Sequence, residues 1–129
     1  MPHTITYNPE THIIEIKLYG QITFNEIIGI YSQALPIAKD KNTSLFFSDY
    51  REAILCLSIF EIYELPKIFA DTADTIGFNP YQIKRAIVQS KTHNPNDYQF
   101  FETVSLNRGQ SFAKLFQGID EATKWLHEK

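Results

Sequence analysis

The sequence contains a single cysteine, Cys56, and therefore cannot form a disulfide bond within one chain. A lone thiol is typical of proteins that work in a reducing compartment. The first residues lack the basic and apolar regions of a signal peptide, and no segment approaches the roughly 20 apolar residues that a membrane-spanning helix needs. These absences predict a soluble, cytoplasmic protein with no integral membrane segment.

Concentrated positive charge is also missing. The net charge is -3, and no run of Lys and Arg offers the basic surface with which nucleic-acid binders offset phosphate charge. There is no G-x-S-x-G elbow, no P-loop and no G-x-G-x-x-G, so acyl transfer, nucleotide triphosphate binding and dinucleotide binding lose their usual sequence support. We therefore expect no nucleic-acid partner and no cofactor.

The residue types that bind metals or act as nucleophiles are not grouped. The four histidines fall in different predicted elements, with no pair at helical spacing, so we expect no metal site. Cys56 has apolar neighbours, which predict a packing residue rather than a nucleophile. The carboxylate pairs Glu61/Glu64 and Asp71/Asp74 are explained by a solvated helix face. The sequence thus offers no catalytic residues and argues against an enzyme.

Apolar and aromatic residues are, in contrast, plentiful. They make up 43% and 14% of the 129 residues, enough for a dense core or a lined pocket. A chain of this length buries roughly two thirds of its unfolded surface in one core. We therefore predict one domain over residues 1–129.

Local patterns predict alternating strands and helices. Alternation over Thr4–Tyr7 and Ile13–Tyr19 indicates a β-hairpin ended by Gly20, and Leu45–Asp49 and Lys84–Gln89 read as buried strands. Capping boxes at Thr23/Glu26 and Ser58/Glu61 each begin a helix with an apolar stripe, the second including Ile59, Ile62, Tyr63 and Phe69. A third helix follows Asn94-Pro95, a short strand covers Ser111–Phe116, and Asp120 caps a last helix. Pro36 and Pro66 should bend, split or end their helices.

This order predicts an α/β fold. Alternating strands and helices favour parallel strands joined by right-handed crossovers, with the hairpin as an antiparallel edge. The expected architecture is a mixed five-stranded sheet with about four helices.

The polar residues after Leu45-Phe46-Phe47 are the best candidates for a functional site. Ligands of open α/β sheets bind at the carboxyl ends of strands, where we expect Asp49, Tyr50 and Arg51 before an irregular linker. Tyr50 could serve as an aromatic anchor, and Arg51 as a bidentate partner for a carboxylate or phosphate. In the alternative interpretation, Asp49 caps loop amides and Arg51 pairs with a nearby acid such as Glu52.

Three segments resemble the bacterial SpoIIAA-like proteins of the STAS fold superfamily: residues 20–23, the strand ending in Asp49-Tyr50-Arg51, and residues 116–126. The resemblance implies a regulatory switch in which a serine directly after the strand-ending aspartate is phosphorylated. Here Tyr50 follows Asp49, and the first serine able to cap the next helix is Ser58. Phosphate on Ser58 would lie at the positive end of a helix.

Two functions remain as hypotheses. The first is a non-enzymatic regulatory or protein-interaction module whose site includes Asp49, Tyr50, Arg51 and Ser58. The second is a small apolar ligand or lipid-binding domain with a pocket between helices and sheet. The resemblance also implies this function, because other members of the superfamily are similar to lipid-carrier domains. A hydrolase using Asp49 and a histidine is a third interpretation. A homodimer through an edge strand or a helix face is compatible with each.

Overall fold

A mixed five-stranded sheet forms the centre of the computed structural model, which describes residues 3–79, 82–88, 113–116 and 118–128. The strands follow the chain order across the sheet: β1 (His3–Asn8), β2 (Ile13–Thr23), β3 (Leu45–Cys56), β4 (Lys84–Val88) and β5 (Ala113–Phe116). The first two strands are antiparallel, and every later pair is parallel. The predicted mixed α/β sheet with a hairpin at one edge is therefore confirmed.

Three helices lie in the described part of the chain: α1 (Phe24–Asp40), α2 (Ile59–Thr75) and α3 (Ile119–Leu126). Both predicted capping boxes are present, since the Thr23 and Ser58 side chains each accept a hydrogen bond from the backbone of the glutamate three residues on. The predicted cap of the last helix is wrong, because the chain enters α3 at Gly118 and Asp120 lies in its first turn. The helix predicted after Asn94-Pro95 lies outside the described residues.

Helices α1 and α2 cover one face of the sheet and α3 covers part of the other. The main core lies under α1 and α2 and includes Ile14, Leu18, Leu35, Phe46 and Phe69, all nearly inaccessible to solvent. A smaller cluster around Val88, Ala122 and Leu126 lies under α3. Apolar contacts on both faces explain why β4 is buried over almost its whole length.

Neither internal proline ends its helix. α1 continues past Pro36 to Asp40, and α2 continues past Pro66 to Thr75. The alternatives of an early end at Pro36 and a split at Pro66 are therefore wrong, whereas the kink or bend expected at these prolines stays a prediction. Pro66 lies in the buried stripe of α2, where packing against the sheet offsets the missing backbone hydrogen bond.

β2 and β3 are both longer than predicted. β2 passes Gly20, which adopts a φ of 66°, and β3 passes Asp49 where an irregular linker was expected. Their added residues pair with each other from Tyr19/Glu52 to Thr23/Cys56. Within the described residues, β1 pairs with β2 only up to Leu18 and β4 pairs with β3 only up to Asp49. The result is a two-stranded parallel ribbon, residues 19–23 and 52–56, that extends beyond the rest of the sheet.

Candidate functional site

A β-bulge interrupts β3 at Tyr50 and Arg51. The register pairs Lys17 with Asp49 but Tyr19 with Glu52, so two residues of β3 lie opposite the single residue Leu18. A bulge adds one residue to a strand and changes the face to which later side chains point, and such irregularities are frequent next to functional sites. The predicted site residues therefore lie at the one shift of register recorded between β2 and β3.

Asp49 and Arg51 form an ion pair with each other. The Asp49 carboxylate accepts hydrogen bonds from Nε and Nη2 of Arg51 at 2.9 and 2.8 Å, and from the Arg51 backbone amide at 3.1 Å. Burial alone would raise the pKa of the Asp49 carboxyl, but the hydrogen bonds and charge of Arg51 outweigh it and hold that pKa below its ordinary value. The alternative interpretation paired Arg51 with a nearby acid such as Glu52. In the structure, the acid that pairs with Arg51 is Asp49.

Tyr50 points away from this pair. It packs against the main core under α1 and α2, on the other face of the sheet from Phe47 and Asp49. Successive side chains of a β-strand point to opposite faces of the sheet, so the consecutive residues Asp49 and Tyr50 face different environments. The structure thus separates Tyr50 from the Asp49/Arg51 pair with which the sequence grouped it.

Near Tyr50 lies a buried cation that the sequence analysis did not single out. Arg85 of β4 is 6% exposed, and its guanidinium lies 4.0 Å from the centre of the Phe69 ring. Burial raises the pKa of the neighbouring Tyr31 hydroxyl, and Arg85 partly opposes that rise. A buried arginine was hard to foresee because Lys84 through Val88 reads simply as an apolar strand with polar ends.

The space between helices and sheet at this point is small. The cavity bordered by Tyr31, Tyr50, Phe69 and Arg85 measures about 20 Å³. A cavity of that size has room for about one water molecule, whereas small-molecule sites usually measure several hundred Å³. This cavity is therefore too small for an apolar ligand.

Ser58 caps α2 on the protein surface. Its hydroxyl accepts a hydrogen bond from the Glu61 amide at 3.1 Å, and its own amide donates to the Glu61 carboxylate at 2.8 Å. Both bonds satisfy backbone or side-chain groups of the first helical turn. Ser58 is exposed and separated by the ribbon from Asp49 and Arg51.

Four exposed apolar residues flank Ser58 in the sequence. We call them the apolar patch: Ile54, Ile59, Phe60 and Tyr63. These side chains are 58%, 69%, 83% and 49% exposed. The prediction that Ile59 and Tyr63 point inward is wrong, because α2 turns Ile62, Leu65 and Phe69 toward the sheet. At 100° per residue, Phe60 and Tyr63 then lie on the solvent side of the helix.

The charges next to the patch are mostly negative. Beyond the patch, α2 carries the carboxylates of Glu61, Glu64, Asp71 and Asp74 against one lysine, Lys67. Cys56 lies at the end of the ribbon and is exposed, so its predicted role in packing is wrong. Alternation along β3 places Cys56 on the opposite side of the ribbon from Leu55, which packs against the main core.

Two further features bear on the class of site. In residues 3–79, 82–88, 113–116 and 118–128, no three His, Cys, Asp or Glu side chains are grouped closely enough to hold a metal ion. None of the helices described in those ranges has the length and apolar character required to cross a membrane. These residues therefore present a surface of apolar and charged groups, without a metal centre.

Comparison with known proteins identifies the fold. No protein-family model matches the sequence, and no curated protein matches it significantly. Among solved structures, it is similar to an uncharacterized DUF3478-family protein with a SpoIIAA-like fold from Shewanella loihica PV-4. The two chains share 16% identity, the match covers 96% of this chain and 91% of that chain, and the TM-score is 0.55. The protein therefore has a SpoIIAA-like fold.

Proposed function

We propose that the protein is a non-enzymatic interaction module of the STAS-like type, which binds a partner protein through the apolar patch. The observation that carries the proposal is the exposure of Ile54, Ile59, Phe60 and Tyr63, with Phe60 exposed over 83% of its surface. Protein interfaces concentrate their binding energy in a few large apolar or aromatic side chains near the centre of the contact.

The local structure supports a rigid binding surface. Phe60 and Tyr63 are three residues apart on α2, so they lie next to each other on one side of the helix. The capping box at Ser58 and Glu61 fixes the first turn that carries Ile59 and Phe60. Side chains on an ordered helical turn lose less conformational freedom on binding than side chains on a loop.

The charges of α2 indicate the chemistry of the partner. The patch is followed along the helix by an excess of carboxylates. Complementary charge at the edge of an interface increases association rate and specificity. We therefore propose a partner whose contact surface has an apolar centre and a basic rim.

The alternative function, a domain that holds a small apolar ligand between helices and sheet, receives little support on the side of α1 and α2. The cavity under α1 and α2 measures about 20 Å³, too small for a lipid chain. A retained apolar ligand in native mass spectra of freshly purified protein would favour this alternative over the interaction module.

Affinity purification of the full chain, followed by reconstitution with the purified partner, tests the proposal. The matched variants are Phe60→Asp, in the patch, and Ile119→Asp, which changes another exposed apolar residue at the start of α3. We expect a stoichiometric complex whose Kd rises at least about a hundredfold in Phe60→Asp and stays within about twofold in Ile119→Asp.

Three outcomes would contradict the proposal. The first is the absence of any stoichiometric partner, and the second is equal binding by the Phe60→Asp variant. The third is a concentration-dependent dimer of this chain that Phe60→Asp disrupts, because a second copy would then occupy the patch.

A further inference from the structure

A groove of about 350 Å³ lies on the face of the sheet opposite α1 and α2. Residues of β1, β2 and β3 form its floor, the hairpin turn contributes Thr11, and α3 contributes Ile119 and Thr123. The volume is within the range of small-molecule sites. The groove shares no residue with the apolar patch, so its occupant need not be the proposed partner protein.

The charges around the groove leave one carboxylate without a counter-ion. Lys17 pairs with Glu52 at 3.2 Å, and Asp49 pairs with Arg51 at 2.8 Å. Glu15 also lines the groove and is partly buried, but in the described part of the chain it forms no salt bridge. Its carboxylate accepts a hydrogen bond from the Asn8 side-chain amide at 3.2 Å. The groove therefore favours a positively charged group next to Glu15.

A second polar group in the groove lacks a partner. The Thr11 hydroxyl is buried and makes no hydrogen bond. Leaving a buried hydroxyl unsatisfied costs about 1–3 kcal/mol, so such groups usually bind water or a ligand. The Thr11 carbonyl, in contrast, accepts a hydrogen bond from Nε2 of His127 at 2.9 Å, which holds the turn against the end of α3. The unsatisfied hydroxyl therefore belongs to a fixed wall.

The remaining surface of the groove is partly apolar. Ile13 is buried at its base, and Phe47 and Ile119 add an aromatic ring and a 40% exposed aliphatic side chain. An aromatic ring contacts an apolar body well, and its face also attracts a cation. The groove thus combines an unpaired carboxylate, an unsatisfied hydroxyl and an apolar surface.

We propose that this groove binds a small organic ammonium compound with an apolar body. Glu15 accepts hydrogen bonds from the ammonium group, and Phe47 and Ile119 contact the apolar part. Lys17 and Asp49 also line the groove, but each is paired, with Glu52 and Arg51, so the charge of Glu15 disfavours anions there.

Titration of the ¹⁵N-labelled full chain with three probes of the same aromatic body tests this proposal. The probes are 2-phenylethylamine, 2-phenylethanol and 3-phenylpropionate, which differ in charge at the end of the chain. We expect the amine to shift amides of β1, β2 and the hairpin turn and to bind at least about tenfold more tightly than the alcohol. The carboxylate should cause no shift in these amides.

Variants separate a built site from weak surface association. Glu15→Gln retains an oxygen for the Asn8 amide but loses the charge, so the Kd for the amine should rise at least about tenfold. Glu64→Gln removes an exposed carboxylate outside the groove and should leave the Kd within about twofold. Thr11→Val keeps the shape of the wall and removes only a hydroxyl that solvent does not reach, so it should also leave the Kd within about twofold.

Several results would overturn the assignment. They are the absence of any shift with the amine at about 10 mM, similar binding of all three probes, and equal binding by Glu15→Gln. A site filled by water alone would give the first result. Phe60→Asp should bind the amine like the unmodified chain, so failure of the partner proposal and failure of this one are distinguishable.

Discussion

The Asp49 carboxylate accepts hydrogen bonds from both Nε and Nη2 of Arg51, which lies two residues later on the same strand. This fork engages the edge of the guanidinium that would otherwise bind a carboxylate or phosphate in a bidentate manner. The Arg51 amide adds a third bond to the same carboxylate. The pair thus stabilises the bulge of β3, and the exposed apolar side chains that follow it are the better surface for a partner.

Loss of the guanidinium should destabilise the protein in a pH-dependent way. In Arg51→Ala, the Asp49 carboxylate keeps its burial and the hydrogen bond from the backbone amide of residue 51 but loses both hydrogen bonds from the guanidinium. Unfolding in urea at pH 7 should therefore require about 1–2 kcal/mol less free energy. Arg51→Lys keeps the charge but not the two parallel hydrogen bonds. Its free energy of unfolding should therefore lie between those of the unmodified protein and Arg51→Ala.

The sign of the pH effect follows from the pKa of Asp49. Because this pKa is lowered in the folded protein, the pair contributes stability above the ordinary value of 3.8, and this contribution is lost as the pH falls through the folded pKa. In Arg51→Ala, only the backbone hydrogen bond of residue 51 and the charge of Lys17 still oppose burial, so the pKa of Asp49 should rise toward the protonated acid. The unmodified protein and Arg51→Ala should therefore differ less in unfolding free energy below pH 4 than at pH 7. A difference that stays constant over this range would contradict a stabilising ion pair between Asp49 and Arg51.

Ser58 should tolerate a negative charge but not the loss of its oxygen. Ser58→Ala removes the acceptor of the Glu61 amide and should lower the free energy of unfolding by about 1 kcal/mol. Ser58→Asp supplies another acceptor at the positive end of α2 and should remain within about 0.5 kcal/mol of the unmodified protein. Thermal and urea unfolding of both variants measure this, and equal losses would contradict the capping role.

Two glycines should respond to alanine in opposite directions. Gly20 has a φ of 66° and Gly29 lies inside α1, and a Cβ at either position would meet no atom within 4 Å. Gly20→Ala should cost about 1–2 kcal/mol through backbone strain alone. Gly29→Ala should add about 0.5–1 kcal/mol, because alanine favours the helix. Urea unfolding checks both signs, and a stabilised Gly20→Ala would contradict the left-handed conformation.

Phe60 and Phe69 should differ sharply in their effect on stability. Phe69 is buried and packs edge-on against Tyr31 and Phe46, so Phe69→Ala should cost about 3–5 kcal/mol. Phe60→Asp should change the unfolding free energy by about 0.5 kcal/mol or less, because the side chain is 83% exposed. Circular dichroism during denaturation measures both. A large loss in Phe60→Asp would mean that this residue supports the fold.

The starts of α1 and α2 could be predicted from sequence because they depend on nearby residues. Thr23 with Glu26 and Ser58 with Glu61 satisfy each other's hydrogen bonds within one turn, and both pairs occur in the structure. The β-hairpin could be predicted for the same reason, because its two strands are close to each other in sequence. The ends of β2 and β3 depend on pairing between segments that are distant in sequence. Polar residues such as Arg51 and Glu52 therefore predicted a linker, although β3 continues to Cys56.

The candidate site was harder to predict for the same reason. The sequence identified the segment around Asp49, but the alternation of β3 places Tyr50 against the core, whereas Asp49 faces the groove side and pairs with Arg51. Likewise, the apolar spacing of α2 did not show which of its residues face the sheet, so Tyr63 was predicted to be buried. The groove beside Glu15 joins residues more than a hundred positions apart, and no local pattern indicates it.

The most direct test of the proposed interaction is the hydrogen-exchange footprint of the purified partner on the full chain. Amides of residues 54–63, around Ile54, Phe60 and Tyr63, should exchange more slowly in the complex, and this protection should disappear in Phe60→Asp. Protection confined to α1, to β1 or to the groove beside Glu15, with residues 54–63 unchanged, would contradict binding through the apolar patch.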